Sequence, residues 1–366
     1  MNDRAVALLE QYDVEVLRTR KGRGVILCDT DNGLLVFKEY EGNEAKLTLL
    51  DRLLSTVKEQ GMVSAEQLIP TREGALCVRE NDGTAYILKT CGEGRECNIH
   101  DHGECMEAVR TLARLHQCML LEPREDLPAP PEFSPLQEYE KHNREFVKVQ
   151  RFLRKKSQKT LFEYNLLGCI DYFIEQARDV TEGWRSYEER MSKANQPAAD
   201  QPKVPQLGAP QPGALQPGAL QPGAHPPGAH LLQGNQEYAY CHGDYQYHNI
   251  LCAEKGLFIV NFEKCIRDRQ IRDLYLLMRK LLEKTDWPVA LGRELIETYE
   301  KVTPISAYAY IDLYYRLAYP EKFWKIVNFY YNSGKAWIPQ RNQEKLDKLL
   351  AQEQQKKDFL EKVFQL

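Results

Sequence analysis

Cys241-His242-Gly243-Asp244-Tyr245-Gln246-Tyr247-His248-Asn249-Ile250-Leu251 is the stretch on which the reading of this chain turns. It places an Asp and an Asn five residues apart in a tight loop. Ile250-Leu251-Cys252, the turn Glu254-Lys255-Gly256 and Leu257-Phe258-Ile259-Val260 then predict a two-stranded hairpin. At its end stands Asn261-Phe262-Glu263, a third polar position. Phosphoryl transfer from a nucleotide needs a set of this kind. A carboxylate must orient and deprotonate the acceptor hydroxyl, while an amide oxygen and a carboxylate hold Mg2+ on the phosphates.

Upstream, the first third reads as strands with one helix. Val14–Thr19, Val25–Cys28 and Leu34–Phe37 are short aliphatic and β-branched runs separated by Lys21-Gly22-Arg23-Gly24 and Asp29-Thr30-Asp31-Asn32-Gly33, both strong turn chemistry. Leu47, Leu50, Leu53, Leu54 and Val57 recur at helical spacing between the N-cap Asn43 and Gly61. Ala75–Val78 and Ala85–Leu88 flank an Asn81-Asp82-Gly83 turn, which makes about five antiparallel strands with a helix laid on them. From Gly103 onward the period is helical, through Met106–His116, Leu161–Ala177, Leu274–Leu282, Leu291–Val302, Tyr308–Leu317 and Phe323–Tyr331. The fold class is therefore α+β, with a small sheet-bearing lobe over residues 1–91 and a mainly helical one over 92–366 that carries the loop 241–263.

One tract stands apart. Nine of the 19 prolines fall between Pro197 and Pro227, and Gly-Ala pairs recur every five residues from Gly208 to Gly228. Proline removes backbone donors, and so little apolar surface cannot offset the entropy of ordering, so 195–235 is expected to be a disordered or polyproline-like insert. Without residues 196–230 the chain is 331 residues, a suitable size for one bilobal unit. Lys plus Arg number 49 against 53 for Asp plus Glu, which argues against a nucleic-acid partner. No run is long and apolar enough to cross a bilayer, and the start leads into no signal-peptide core, so the protein is expected to be made in the cytoplasm. The ten cysteines include no C-x-x-C pair and read as reduced, partly buried thiols.

The pattern His242-Gly243-Asp244 with Asn249, a hairpin and a Val260-Asn261-Phe262-Glu263 motif resembles the aminoglycoside and choline phosphotransferases, which share the bilobal protein-kinase-like fold. Gly92-Glu93-Gly94-Arg95-Glu96-Cys97, Ala108–His116, Ile271-Arg272-Asp273-Leu274 and Tyr319-Pro320-Glu321-Lys322-Phe323-Trp324 narrow the resemblance to the CotS-type spore coat proteins. The resemblance implies ATP and Mg2+ as cofactors, Asp244 as catalytic base and Asn249 as metal ligand. It also implies a place in the spore coat among other coat proteins. Lys38 falls where kinase-like folds keep the lysine that contacts the α- and β-phosphates. Its helix partner should be an acid; Glu44 is the candidate and Asp51 the runner-up. Arg20–Gly24 would cover the nucleotide, and Leu88–Cys91 would form the hinge.

Family enzymes carry Asp where this chain has Asn261. An amide oxygen can coordinate a hard cation but adds no negative charge, so metal affinity should fall. Glu263 supplies a charge on the same side if Phe262 points into the core. Two functions follow: an ATP/Mg2+-dependent phosphotransferase with metal on Asn249 and on Asn261 or Glu263, or a catalytically impaired structural or interaction component of the coat. His242 reads as loop support and His248 remains ambiguous. Arg272-Asp273 reads as a buried brace, the aromatic cluster from Tyr308 to Tyr331 as core packing, and the tail Gln343–Lys362 as a solvated helix.

Overall fold

The computed structural model describes residues 6–22, 24–120, 134–194, 238–332 and 339–365. The proline-rich tract 195–235 lies outside the described residues, as does Arg23 of the turn expected to cover a nucleotide. Strands β1 (Val16–Lys21), β2 (Ile26–Thr30) and β3 (Gly33–Glu39) form an antiparallel meander, and Gly33 takes the left-handed conformation at its second turn. Helix α1 (Glu44–Gln60) starts where Asn43 accepts from the Lys46 N–H and stops at left-handed Gly61. Two short strands follow, β4 (Ser64–Ala65) and β5 (Leu68–Ile69). Beyond them come β6 (Val78–Arg79), β7 (Ala85–Thr90) and β8 (Gly94–Glu96).

The first sheet runs β1-β2-β3-β7-β5, with β6 also on β7. One face packs Ile26, Cys28, Leu35, Phe37, Tyr86 and Leu88 under Leu9 and Tyr12. By strand alternation the opposite face carries Lys38, Ile87 and Lys89, and Ile87 joins the main core with the apolar stripe of α1. This agrees with the expected sheet and helix, except that Ala75–Val78 contributes only Val78 and β5 takes the far edge.

Two further ladders frame the loop. Strands β10 (Ile250–Ala253) and β11 (Gly256–Ile259) are the expected hairpin. Each gains a partner from the first third of the chain, since β11 pairs in parallel with β4 and β10 pairs antiparallel with β8. Strands β9 (Tyr238–Cys241) and β12 (Ile266–Arg269) pair antiparallel on either side of the loop and hairpin. The hairpin is thus pinned between segments more than 150 residues upstream, which is what brings distant side chains to residues 261–263.

The remainder is helical: α2 (His102–Cys118), α3 (Pro135–Lys155), α4 (Leu161–Ala194), α5 (Ile271–Thr285), α6 (Val289–Glu300), α7 (Ala307–Ala318), α8 (Glu321–Asn332) and α9 (Pro339–Phe364). Helix α3 was not expected. It begins with the Ser134 cap and Pro135, and it buries Tyr139, Phe146 and Leu153 in a second core with Phe173, Trp184, Tyr319 and Phe323. The aromatic cluster packs as expected where Tyr139 and Tyr319 stack at 3.7 Å and Phe173 and Phe323 at 4.0 Å. The tail requires a correction. Helix α9 is solvated on one side only, and Phe359, Leu360, Val363 and Phe364 on the other join the main core. Gly292 leaves space for the Phe359 ring, which a Cβ at 292 would meet at 2.1 Å.

Candidate functional site

The loop after β9 is held from behind by one buried carboxylate. Asp273, in the first turn of α5, accepts from the backbone N–H groups of His242 at 2.6 Å and Gly243 at 2.9 Å. The His116 ring adds a contact at 3.2 Å, and Tyr299 touches the other His116 nitrogen at 2.6 Å. Burial is the largest influence on Asp273 and opposes its charge, but the hydrogen bond and charge of His116 hold the carboxyl below its ordinary range. Its sequence neighbour Arg272 pairs with Asp268, 3.3 Å away. Gly243 follows at φ +79, where a Cβ would come within 2.0 Å of the Lys264 carbonyl oxygen. Only glycine fits there.

His242 is fully buried and supports the loop, as expected. Its Nε2 lies 2.9 Å from the Val260 carbonyl, and its Nδ1 accepts from the Asp244 N–H at 3.2 Å. Both contacts fit the neutral ring with the proton on Nε2. The Tyr245 hydroxyl donates to the Ala108 carbonyl and ties the loop to α2. His248, whose role the sequence left open, faces outward with its ring 2.6 Å from Glu96. Asp244 itself is partly exposed, and its carboxylate accepts from Gln246 and, at 2.8 Å, from the exposed Lys264 ammonium.

Beyond Asp244 the expected metal ligands are brought together, but they bind one another. Asn249 Nδ2 donates to the Asp244 carbonyl at 2.7 Å, and Asn249 Oδ1 accepts from Asn261 Nδ2 at 2.9 Å. Asn261 Oδ1 accepts from the Lys89 ammonium at 3.2 Å. Asn261 sits at φ 69 and ψ 54, left-handed geometry that asparagine tolerates better than most residues. Its N–H and that of Phe262 both donate to Glu66, at 2.8 and 3.0 Å. Phe262 is buried, and although residues 262–264 form a short 3-10 turn and not the strand that the alternation argument assumed, Asn261 and Glu263 both meet Lys89.

Two lysines converge on Glu263. On adjacent strands, Val36 faces Lys89 and Lys38 faces Ile87, so Lys38 and Lys89 are diagonal neighbours on one sheet face. Lys38 Nζ lies 3.0 Å from Glu263 Oε1 and Lys89 Nζ lies 2.7 Å from the same oxygen. Lys89 also pairs with Glu66 at 2.8 Å, and only 2% of its side chain is exposed against 23% for Lys38. Burial is the strongest influence on Lys89 and favours the neutral amine, yet Glu66 and Glu263 raise its pKa above the ordinary value. Burial likewise pushes Glu263 up, and Lys89 and Lys38 override it, bringing the carboxyl down to about 2.

Glu44, the expected partner of Lys38, does not reach it. It lies in the exposed first turn of α1 and pairs with Arg79 at 3.1 Å, because the β3–α1 connection turns that end of the helix away from the cleft. Asp51 makes no ion pair with Lys38 either; burial alone raises its pKa. Glu263 takes the place expected of both. Arg20, in the turn expected to cover a nucleotide, pairs with Asp29 on the neighbouring strand.

Sequence reasoning missed Glu66 and Lys89. The only trace of Lys89 is its spacing: two residues after Ile87, a charge falls on the core-facing side of β7. Glu66 has no local signature, because its position depends on the parallel pairing of β4 with β11.

Mg2+ does not fit these residues. The Asn249 oxygen is capped by the Asn261 amide, the Asn261 oxygen and Glu66 face Lys89, and Glu263 faces two ammonium groups. Two carboxylates against two lysines leave no surplus negative charge.

Residues 232–363 match the family described as "Spore coat putative kinase YutH". A stretch of 129 residues is 26% identical to "Spore coat protein S" of Bacillus subtilis (strain 168); it covers 35% of this chain and 37% of that protein's length. The aminoglycoside phosphotransferase of Alicyclobacillus acidocaldarius subsp. acidocaldarius DSM 446 superposes with a TM-score of 0.75 at 17% identity, covering 98% of this chain and 95% of that one. Amicoumacin kinase hAmiN, solved with AMP-PNP, Ca2+ and Ami, superposes with a TM-score of 0.59 at 11% identity over 98% of this chain and 94% of its own. The chain therefore has the kinase-like fold seen in the aminoglycoside phosphotransferases and, over residues 232–363, is similar to the spore coat kinase-like proteins.

Proposed function

We propose that this protein is a spore-coat component that keeps the nucleotide-binding cleft of a kinase-like fold and acts through interaction, with phosphoryl transfer impaired. The observation that carries this reading is Asn261, which stands where the family's metal-binding carboxylate belongs and donates its amide to the other metal ligand, Asn249. Without a bound divalent ion, the charge developing on a transferred phosphoryl group loses its main stabiliser. The coat assignment draws on the similarity to Spore coat protein S, and the nucleotide on the fold shared with the AMP-PNP-bound kinase.

A second reading, transfer of phosphate to an unknown hydroxyl acceptor, is favoured by the retained Asp244. Its carboxylate is partly exposed, and the Lys264 that pairs with it is itself exposed, so an acceptor hydroxyl could replace it. In that reading Lys38 contacts the phosphates. ATP turnover separates the two. The impaired-kinase reading expects the same background rate from the wild-type chain and from Asp244→Ala, with or without Mg2+. Turnover that disappears in Asp244→Ala would replace it with the enzyme reading.

A further inference from the structure

We propose that the Lys89 ammonium is a built-in cation that stands in for the divalent metal, so that nucleotide binding in this cleft is metal-independent. The proposal rests on the reading that the cleft binds a nucleotide, and it deepens that reading by naming the nucleotide species: the free, metal-less polyphosphate. Lys89 meets three oxygens from two segments, Glu66 at 2.8 Å from one, and Glu263 at 2.7 Å and Asn261 at 3.2 Å from the other. Hard cations select such a set of two carboxylates and one amide carbonyl. Here an ammonium bonded to the protein holds it.

Three details separate this arrangement from a lysine that merely pairs with an acid. Lys89 is buried at 2% exposure, whereas Lys38 beside it is solvent-accessible at 23%. Asn261 is matched to it: its oxygen accepts from Lys89 while its nitrogen donates to Asn249 Oδ1, a contact that a carboxylate at 261 could not make. Glu66 fixes both partners, since it pairs with Lys89 and accepts the Asn261 and Phe262 N–H groups. The ion, the amide and the carboxylate form one unit. Lys38 is then free to exchange Glu263 for a phosphate while Lys89 keeps the charge of the site in place.

Two measurements on the full chain test the proposal. In the first, AMP-PNP affinity is measured in EDTA and in excess Mg2+. The affinity in EDTA is expected to be at least as high as in excess Mg2+, because Mg2+ chelates the phosphates in solution and withdraws the metal-free species that the cleft takes. Binding at least tenfold tighter with Mg2+ would overturn the proposal while leaving a nucleotide-binding cleft. No binding in either condition would overturn the nucleotide reading, and the metal-independence claim with it.

The second measurement uses Mn2+ alone, with free Mn2+ followed by electron paramagnetic resonance. Lys89→Met removes the ammonium from the Glu66–Glu263–Asn261 oxygens, so it is expected to bind one more Mn2+ per chain than the wild type. Equal binding by both would overturn the assignment of Lys89 as the stand-in cation. Because Lys89→Met leaves the buried Glu66 without its ion partner and Glu263 with Lys38 alone, its fold is checked by circular dichroism. If it fails to fold, the wild-type comparison in EDTA and Mg2+ decides the matter.

Discussion

Asn261 turns its amide nitrogen to within 2.9 Å of the Asn249 side-chain oxygen, so two residues that would share a metal share a hydrogen bond instead. Replacing that nitrogen by oxygen sets two acceptors face to face and adds a negative charge. Asn261→Asp is therefore expected to gain a metal response that the parent lacks, with Mg2+ raising its thermal midpoint and leaving the wild type unmoved. Equal response from both proteins would mean that residue 261 does not face the ligand set.

The loop 241–249 hangs on Asp273. Asp273→Asn keeps the shape but removes the charge that two backbone N–H groups and His116 require. Because hydrogen bonds to a buried charged group contribute about 1.5–3 kcal/mol each, a loss of roughly 2–4 kcal/mol is expected in urea unfolding. A change below about 0.5 kcal/mol, the range of ordinary surface substitutions, would show that the loop is held by other contacts.

Acid should weaken the junction between the sheet and the hairpin. The Glu263 carboxyl sits at about 2 in the folded chain, against an ordinary 4.5. A depressed folded value stabilises the protein above the ordinary value, and this contribution is lost as pH falls from 4.5 toward about 2. Stability measured from pH 6 downward should therefore fall more steeply in the wild type than in Glu263→Gln. Asp273, also depressed, keeps a residual slope in both. Parallel curves would contradict the Lys38–Glu263–Lys89 pairing.

The last helix is part of the main core. Phe359 is fully buried, packs edge-on to Trp287 at 5.4 Å and fills the space that Gly292 leaves open. Phe359→Ala should cost about 3–5 kcal/mol, as other large-to-small core changes do. Chemical denaturation reads this directly, and a cost under 1 kcal/mol would return α9 to the status of a surface helix.

These sites differ in how far the sequence discloses them. Asp244, Asn249, Asn261 and Glu263 are legible because one local loop and one hairpin bring them together, and both have strong turn chemistry. Lys38 is legible from its place on the third strand. Glu44 misled because it is the first acid on the following helix, and sequence distance does not show that the first turn faces outward toward Arg79. Glu66 and Lys89 meet through the antiparallel pairing of β5 with β7, and what was hidden is their meeting with Asn261 and Glu263, which needs β4 to pair in parallel with β11 across nearly 200 residues and leaves no local pattern. Helix α3 escaped because its apolar positions are few among charged ones, so its Ser134-Pro135 start was the better signal.

The cleft carries its own cation in Lys89. Calorimetric titration of AMP-PNP into the wild-type chain, run side by side in EDTA and in excess Mg2+, is the direct test. Affinity in EDTA at least as high as in excess Mg2+ is expected. Binding that requires Mg2+ would contradict it.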